Sequence, residues 1–242
     1  MYQALSGADQ NVAIGTDALG GVLTDAAHDN VAIGYHTLDA NTSGLENIGV
    51  GTNALGANTT GARNIGVGQS ALLVAATSVD NIAIGDQAMY QALSGADQNI
   101  AIGTDALGGV LTDAAHDNVA IGYHAADAVT TGLSNVAIGT DALGGATTAD
   151  QSVAIGQGAL GGATTTGNDN IAIGKDAANA LTSGASNVAI GTDALGAAAT
   201  VSNNTAVGHN ALLVNVAAET TAVGSGALAA LDDASAVGNA AL

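Results

Sequence analysis

The nine residues NVAIGTDAL at 11–19 recur along the whole chain with few changes, and they return unaltered at 135–143 and 187–195. We take the glycine of this motif as an anchor and number the other positions of the repeat from it. The chain then holds 14 copies at spacings of 14 to 19 residues, most often 17. The anchors are Gly15, Gly34, Gly51, Gly68, Gly85, Gly103, Gly122, Gly139, Gly156, Gly174, Gly191, Gly208, Gly224 and Gly238. A repeat with this period predicts a solenoid.

The residues around the anchor are restricted in type. Position −1 is Ile or Val in all 14 copies, and position −2 is Ala or Gly. Position −4 is Asn in 11 copies, and position +3 is Ala in 13. Between these columns lies a variable run of Gly, Thr, Ser, Asp and Ala. The 36 residues from Met1 return from Met89 with one change, which indicates that a block of five repeats was duplicated.

The segment NVAIG predicts a short β-strand, because its β-branched residues alternate. Val12 and Ile14 then point to one face, and Asn11 and Ala13 to the other. Recurrent Gly and Thr with no 3.6-residue stripe exclude a helix. The predicted fold is all-β: one parallel β-solenoid domain (a β-roll) over 1–242, with 14 rungs of about 17 residues stacked at about 4.8 Å.

Stacked rungs turn each column into a ladder of like residues. Aliphatic ladders are expected to form the core, at about 1.5–3 kcal/mol per buried side chain. The predicted core residues are Val12, Ile14, Leu19, Ile84, Ile102, Ile138 and Ile173. Stacked Asn side chains can hydrogen-bond to one another or to turn amides. This predicts an Asn ladder through Asn11, Asn30, Asn47, Asn64 and Asn81.

Composition limits the function classes. The formal net charge is −19, and Arg63 and Lys175 are the only basic residues besides five His. Nucleic acid as a partner is therefore excluded, because phosphates need a basic footprint, and anionic membranes are disfavoured for the same reason. No Cys is present, which removes disulfides and thiol chemistry. No apolar run is long enough for a transmembrane helix, so membrane insertion is not expected.

The motif N-x-A-[IV]-G-x-x-A-L resembles the head repeats of trimeric autotransporter adhesins (YadA-like heads) and the related 17-residue repeats of phage tail fibres. The resemblance covers essentially all 242 residues. It implies a left-handed β-roll, three chains side by side, and a location outside the cell or on a cell or virion surface. It also implies that the Val12 and Ile14 ladders build the roll and trimer core, and that the Asn11 and Gly15 ladders form the turn.

Both ends of the sequence fall in the middle of a coil. Leu242 stands four residues after Gly238, and Met1 aligns with Met89, four residues after Gly85. If two copies met end to end, the anchor spacing across the junction would be 19 residues, within the internal range. This predicts head-to-tail polymerisation. The predicted interface comprises Met1, Tyr2, Leu5, Val237, Gly238 and Leu242. A fragment of a longer repetitive protein and a capped trimer remain alternatives.

Candidate chemistry is sparse. Asp176 and Asp193 share position +2 on adjacent rungs, about 5 Å apart. They are interpreted as part of a solvated acidic face, with a weak Ca²⁺ site or a glycosidase-like dyad as alternatives. The five His are expected at the surface. No other cofactor is predicted, and the glycine-rich runs are interpreted as turns because no helix follows them.

These patterns predict a protein that is not an enzyme. Its expected function is that of a structural subunit of an extracellular fibre or filament, built by stacking rungs and extended head to tail, with its own copies as partners. The alternative is an adhesin head or tail-fibre shaft that binds a host surface ligand.

Overall fold

A computed structural model describes residues 9–24, 26–92, 95–112, 114–162, 165–231 and 240–241. Over these residues the chain is all-β, with short parallel strands and no helix. Strands recur about every 17 residues, and within each unit the strands of successive coils pair with one another. The predicted parallel β-solenoid is thus confirmed. The chain divides into two compact units, Met1–Ile121 and Gly122–Leu242.

In the first unit, seven strands form one parallel sheet in the order β1, β2, β3, β4, β5, β7, β9. The register follows the repeat, so that Val12 lies opposite Val31 and Ala13 opposite Ala32. Two shorter strands, β6 and β8, pair separately. The bounds are β1 Val12–Ile14, β2 Val31–Ile33, β3 Ile48–Val50, β4 Ile65–Val67, β5 Ile82–Ile84, β6 Gln91–Ala92, β7 Ile100–Ile102, β8 Val110–Leu111 and β9 Val119–Ile121.

The second unit repeats this arrangement, with the order β10, β11, β12, β13, β14, β16, β18 in its main sheet. β15 and β17 form a separate parallel pair. The bounds are β10 Val136–Ile138, β11 Val153–Ile155, β12 Ile171–Ile173, β13 Val188–Ile190, β14 Thr205–Val207, β15 Val214–Asn215, β16 Thr221–Val223, β17 Ala230–Leu231 and β18 Ala240–Ala241.

The last strand differs from the prediction. The alignment on Gly238 places Ser235 opposite Thr221, but Thr221 pairs with Ala240 and Ala222 with Ala241. The predicted rung would return after 14 residues, shorter than the 16 to 19 of the other coils. The observed pairing returns after 19 residues, which is also the longest spacing between anchors elsewhere in the chain.

The interior is lined by small residues and Leu. Ala32 and Leu38 are fully buried, and so are their equivalents in most rungs. A Cβ built on Gly66 at position −2 would lie 3.2 Å from the Leu55 side chain of the preceding rung. The space between the strand and the facing wall therefore admits only Ala or Gly at position −2, which explains that column.

The predicted aliphatic core is correct only in part. Leu19 is buried, with 4% of its surface exposed. The Ile and Val predictions are wrong for the chain as it stands, because the strands turn position −2 inward and positions −3 and −1 outward. The exposed fractions are 46% for Val12, 59% for Ile14, 40% for Ile84 and 36% for Ile102, Ile138 and Ile173. The period of two was predicted correctly, but the two faces were exchanged.

Candidate functional site

The main sheet presents a row of branched aliphatic side chains on its outer face. We call this row the aliphatic stripe and define it as the first and third residues of β1–β5, β7 and β9 in the first unit and of β10–β13 in the second. All of these residues are partly or largely exposed. In β14 and β16 the first residue is instead Thr205 or Thr221.

The size of the stripe follows from the strand geometry. Seven strands at about 4.8 Å and three residues at about 3.3 Å give the first unit a flat apolar area of roughly 300 Å². This area is similar to that of the largest apolar patch on a typical monomeric protein, and such patches are often functional. The residues of the stripe can be read from the repeat. They were predicted to be buried because large aliphatic side chains usually lie inside, so the sequence alone did not predict an exposed apolar surface.

Exposed polar residues at position −5 border the stripe. Among them Arg63 forms a bidentate pair with Asp80 on the next rung, with Nε–Oδ1 at 2.6 Å and Nη2–Oδ2 at 2.9 Å. The hydrogen bond from Arg63 holds the pKa of the Asp80 carboxyl below its usual value, and the charge of Arg63 adds to this effect. The pair lies at the surface, so it gives the stripe a polar rim rather than stability.

The Asn ladder forms as predicted and is structural. Asn30 Oδ1 accepts hydrogen bonds from Asn47 N at 3.0 Å and from Asn47 Nδ2 at 3.1 Å, and Asn47 Nδ2 also donates to Gly61 O. The same pattern joins Asn11 to Asn30, and it continues from Asn47 through Asn64 and Asn81. From Asn30 onward these side chains are buried and hydrogen-bonded to the chain itself.

Backbone conformation accounts for the acidic column. Asp176 and Asp193 have φ of 53° and 54°, and every residue at position +2 in the thirteen rungs from Gly15 to Gly224 has positive φ. Asn, Asp and His tolerate this left-handed conformation better than other side chains, apart from Gly. Asp176 contacts Lys175 at 3.7 Å. Within the described residues, no three His, Cys, Asp or Glu side chains converge as metal ligands.

Four of the five histidines, His28, His36, His116 and His124, each lie within 4 Å of a carboxylate. His36 Nδ1 is 2.7 Å from Asp39 Oδ2, and its Nε2 is 3.8 Å from Asp17. His124 Nδ1 lies 3.6 Å from Asp127 Oδ2. The preceding residues Tyr35 and Tyr123, each 52% exposed, are in contact with the His36 and His124 rings.

The predicted end-to-end residues lie outside the described part of the chain. They are Met1, Tyr2, Leu5, Val237, Gly238 and Leu242. The described ranges contain no helix that is long and apolar enough to span a bilayer. The geometry thus defines a parallel β-solenoid repeat protein whose most distinctive surface is aliphatic. No protein-family model, curated protein or solved structure matches the chain.

Proposed function

We propose that this protein is a structural subunit of an extracellular fibre, and that its copies associate side by side through the aliphatic stripe. The single observation behind this proposal is the outward orientation of Ile and Val at positions −3 and −1 along both units. Exposed apolar ladders of this kind gain about 25 cal/mol per Å² when they leave water.

The period of the stripe favours a second copy as its partner. The strands are in register, with Ile171 opposite Val188 and Ile173 opposite Ile190, so the side chains form ridges about 4.8 Å apart. A surface with the same repeat interdigitates with these ridges over its full length, and a copy of this chain has that repeat. A stable interface needs about 800 Å² per partner, so the stripe of the first unit, at roughly 300 Å², supplies less than half of that area and the residues that border it have to take part as well.

The resemblance to trimeric adhesin heads supports three chains per fibre. The head-to-tail extension predicted from the sequence concerns residues outside the described ranges and stays a prediction. The proposal gives Asp176 and Asp193 no catalytic role, because backbone conformation accounts for their column.

Sedimentation velocity over a wide concentration range tests the proposal. We expect oligomers for the unaltered chain and dissociation for Ile190→Lys, because the new ammonium would have to be desolvated in the contact. The matched control is Thr192→Lys, which places the same charge two residues away at an exposed position off the stripe. A monomer at high concentration would refute the proposal, as would equal effects of the two substitutions.

An adhesin head or tail-fibre shaft is the second candidate. The observation that favours it is the exposure of Tyr35 and Tyr123 beside carboxylate-bound His, since aromatic faces with polar neighbours are common in recognition surfaces. Binding to a glycan or matrix-protein array that is lost in Tyr35→Ala and Tyr123→Ala, with the oligomer intact, would support this candidate.

A further inference from the structure

The chain carries three Asn-x-Ser/Thr triplets, which form the acceptor motif for N-linked glycans in secreted proteins. They lie at 41–43, 58–60 and 203–205. A glycan is bulky and hydrated, so an Asn that carries one in the folded protein has to project its side chain into solvent. The structure separates the three triplets by this criterion.

Asn41 and Asn58 are fully buried inside the roll. Asn41 Nδ2 donates to Gly44 O, and its Oδ1 accepts from Gly44 N and from Asn58 Nδ2, each at 3.1 Å. Asn58 Nδ2 also donates to Gly61 O at 3.2 Å. A sugar on either amide nitrogen would break these bonds and would need space that the interior does not have.

Asn203 has the opposite surroundings. It occupies position −5, where its side chain is exposed and its φ is 60°, and its backbone N–H donates to Ala185 O at 3.0 Å. The same position holds exposed Ser186 on the preceding rung and exposed Glu219 on the following rung. The backbone is thus fixed in the roll while the side chain points outward.

The third residue of this triplet departs from the repeat. Position −3 is Val or Ile in the first eleven rungs and becomes Thr205 in the rung that carries Asn203. Thr205 remains in strand β14 opposite Val188. The hydroxyl that completes the motif is therefore not required by the fold, because eleven other rungs form the same strand without it.

We propose that Asn203 is the N-glycan acceptor of this chain. In the transfer, Asn203 Nδ2 bonds to the anomeric carbon of a lipid-pyrophosphate-linked oligosaccharide, the lipid pyrophosphate leaves, and Nδ2 loses one proton. The inference depends on the extracellular location given under the proposed function. It adds a covalent modification beside the end of the aliphatic stripe.

The test uses the full chain, sent through the secretory pathway of a cell that performs N-glycosylation. Peptide-N-glycosidase is expected to remove the mass of one glycan and to leave Asp at 203. Asn203→Gln and Thr205→Val are each expected to abolish this mass change. Thr205→Val restores the residue type of eleven other strands, so its circular dichroism spectrum should match that of the unaltered chain.

Two results would overturn the assignment: an unmodified Asn203 in the secreted protein, or a glycan on Asn41 or Asn58 in folded material. Either result leaves the proposed lateral association untouched, because that association is measured separately on protein made without glycosylation.

Discussion

At the scale of single residues, left-handed backbone positions dictate much of the repeat. The thirteen anchor glycines from Gly15 to Gly224 have φ between 126° and 141°, and a Cβ on Gly139 would lie 2.7 Å from the carbonyl oxygen of Gly156. We expect Gly139→Ala to lower the free energy of unfolding by about 3 kcal/mol, because strain adds to a backbone clash. Urea denaturation followed by circular dichroism measures this change.

Gly226→Ala is the matched control for that substitution. Gly226 also has positive φ, at 70°, but no atom lies within 4 Å of its added Cβ. Only the conformational cost remains, about 1 kcal/mol. If the two substitutions cost the same, the close approach of stacked anchors does not explain the glycine column.

Ser152 interrupts the buried Asn ladder and gives a second prediction. Its backbone N–H donates to Asn135 Oδ1 at 3.0 Å, and its hydroxyl accepts from Asn170 N at a longer 3.3 Å. In Ser152→Asn, the backbone N–H and the side-chain amide of residue 152 would both donate to Asn135 Oδ1, as the corresponding groups of Asn47 do to Asn30 Oδ1. This substitution is expected to stabilise the chain by about 1 kcal/mol in urea denaturation. Ser152→Ala should destabilise it, because Asn170 N–H would lose its acceptor. A destabilising Ser152→Asn would show that this rung is too narrow for the amide.

At the scale of elements, the strands could be predicted from the sequence, but their faces could not. Cβ atoms alternate between the two faces along a strand, so the sequence NVAIG predicts that positions −3 and −1 lie on the same face. Which face points inward depends on the wall opposite. Leu at position +4 fills that wall, since a Cβ added to Gly66 would lie 3.2 Å from the Leu55 side chain. The sequence has no local signal for this distance between layers, so the stripe emerged only from the structure.

A size rule links two interior positions of the 17-residue coils. Asn41, Asn58, Val129 and Leu181 at position +7 are each followed three residues later by Gly, whereas Ala75, Ala146 and Ala198 are followed by Ser, Ala or Val. The close approach of a Cβ on Gly132 to Val129 Cγ1, at 3.4 Å, shows that the two positions share one space. A residue larger than Ala at position +7 therefore requires Gly three residues later, at position +10.

This rule predicts a coupled pair of substitutions. Asn58 Oδ1 is buried without a hydrogen-bond partner, and the residue at its position on the next rung is Ala75. Ala75→Asn would supply a donor but overpacks against Ser78, so alone it should destabilise the chain by about 1–3 kcal/mol. Added to Ser78→Gly, it should show a favourable coupling of about 1 kcal/mol or more in a double-mutant cycle. Additive effects of the two changes would contradict the rule.

At the scale of the whole molecule, the negative charge and the aliphatic stripe have opposite effects on the association of copies. A net charge of −19 makes copies repel, whereas the aliphatic stripe draws them together. Salt screens the repulsion, with a Debye length of about 10 Å at 0.1 M and about 3 Å at 1 M, and leaves the apolar contact intact. We therefore expect the association constant from sedimentation equilibrium to rise as sodium chloride is added.

Two comparisons make this salt prediction specific to the stripe. The association constant of Thr192→Lys should rise with salt as that of the unaltered chain does, because the new charge lies off the stripe and only makes the net charge slightly less negative. Ile190→Lys should stay dissociated at high salt, because its ammonium lies within the apolar contact. Association that weakens with salt would mean that ion pairs rather than aliphatic ladders join the copies. Since nearly every charged side chain has the same sign, such pairs would have to come from Arg63 and Lys175, and removing those two residues would then abolish the oligomer.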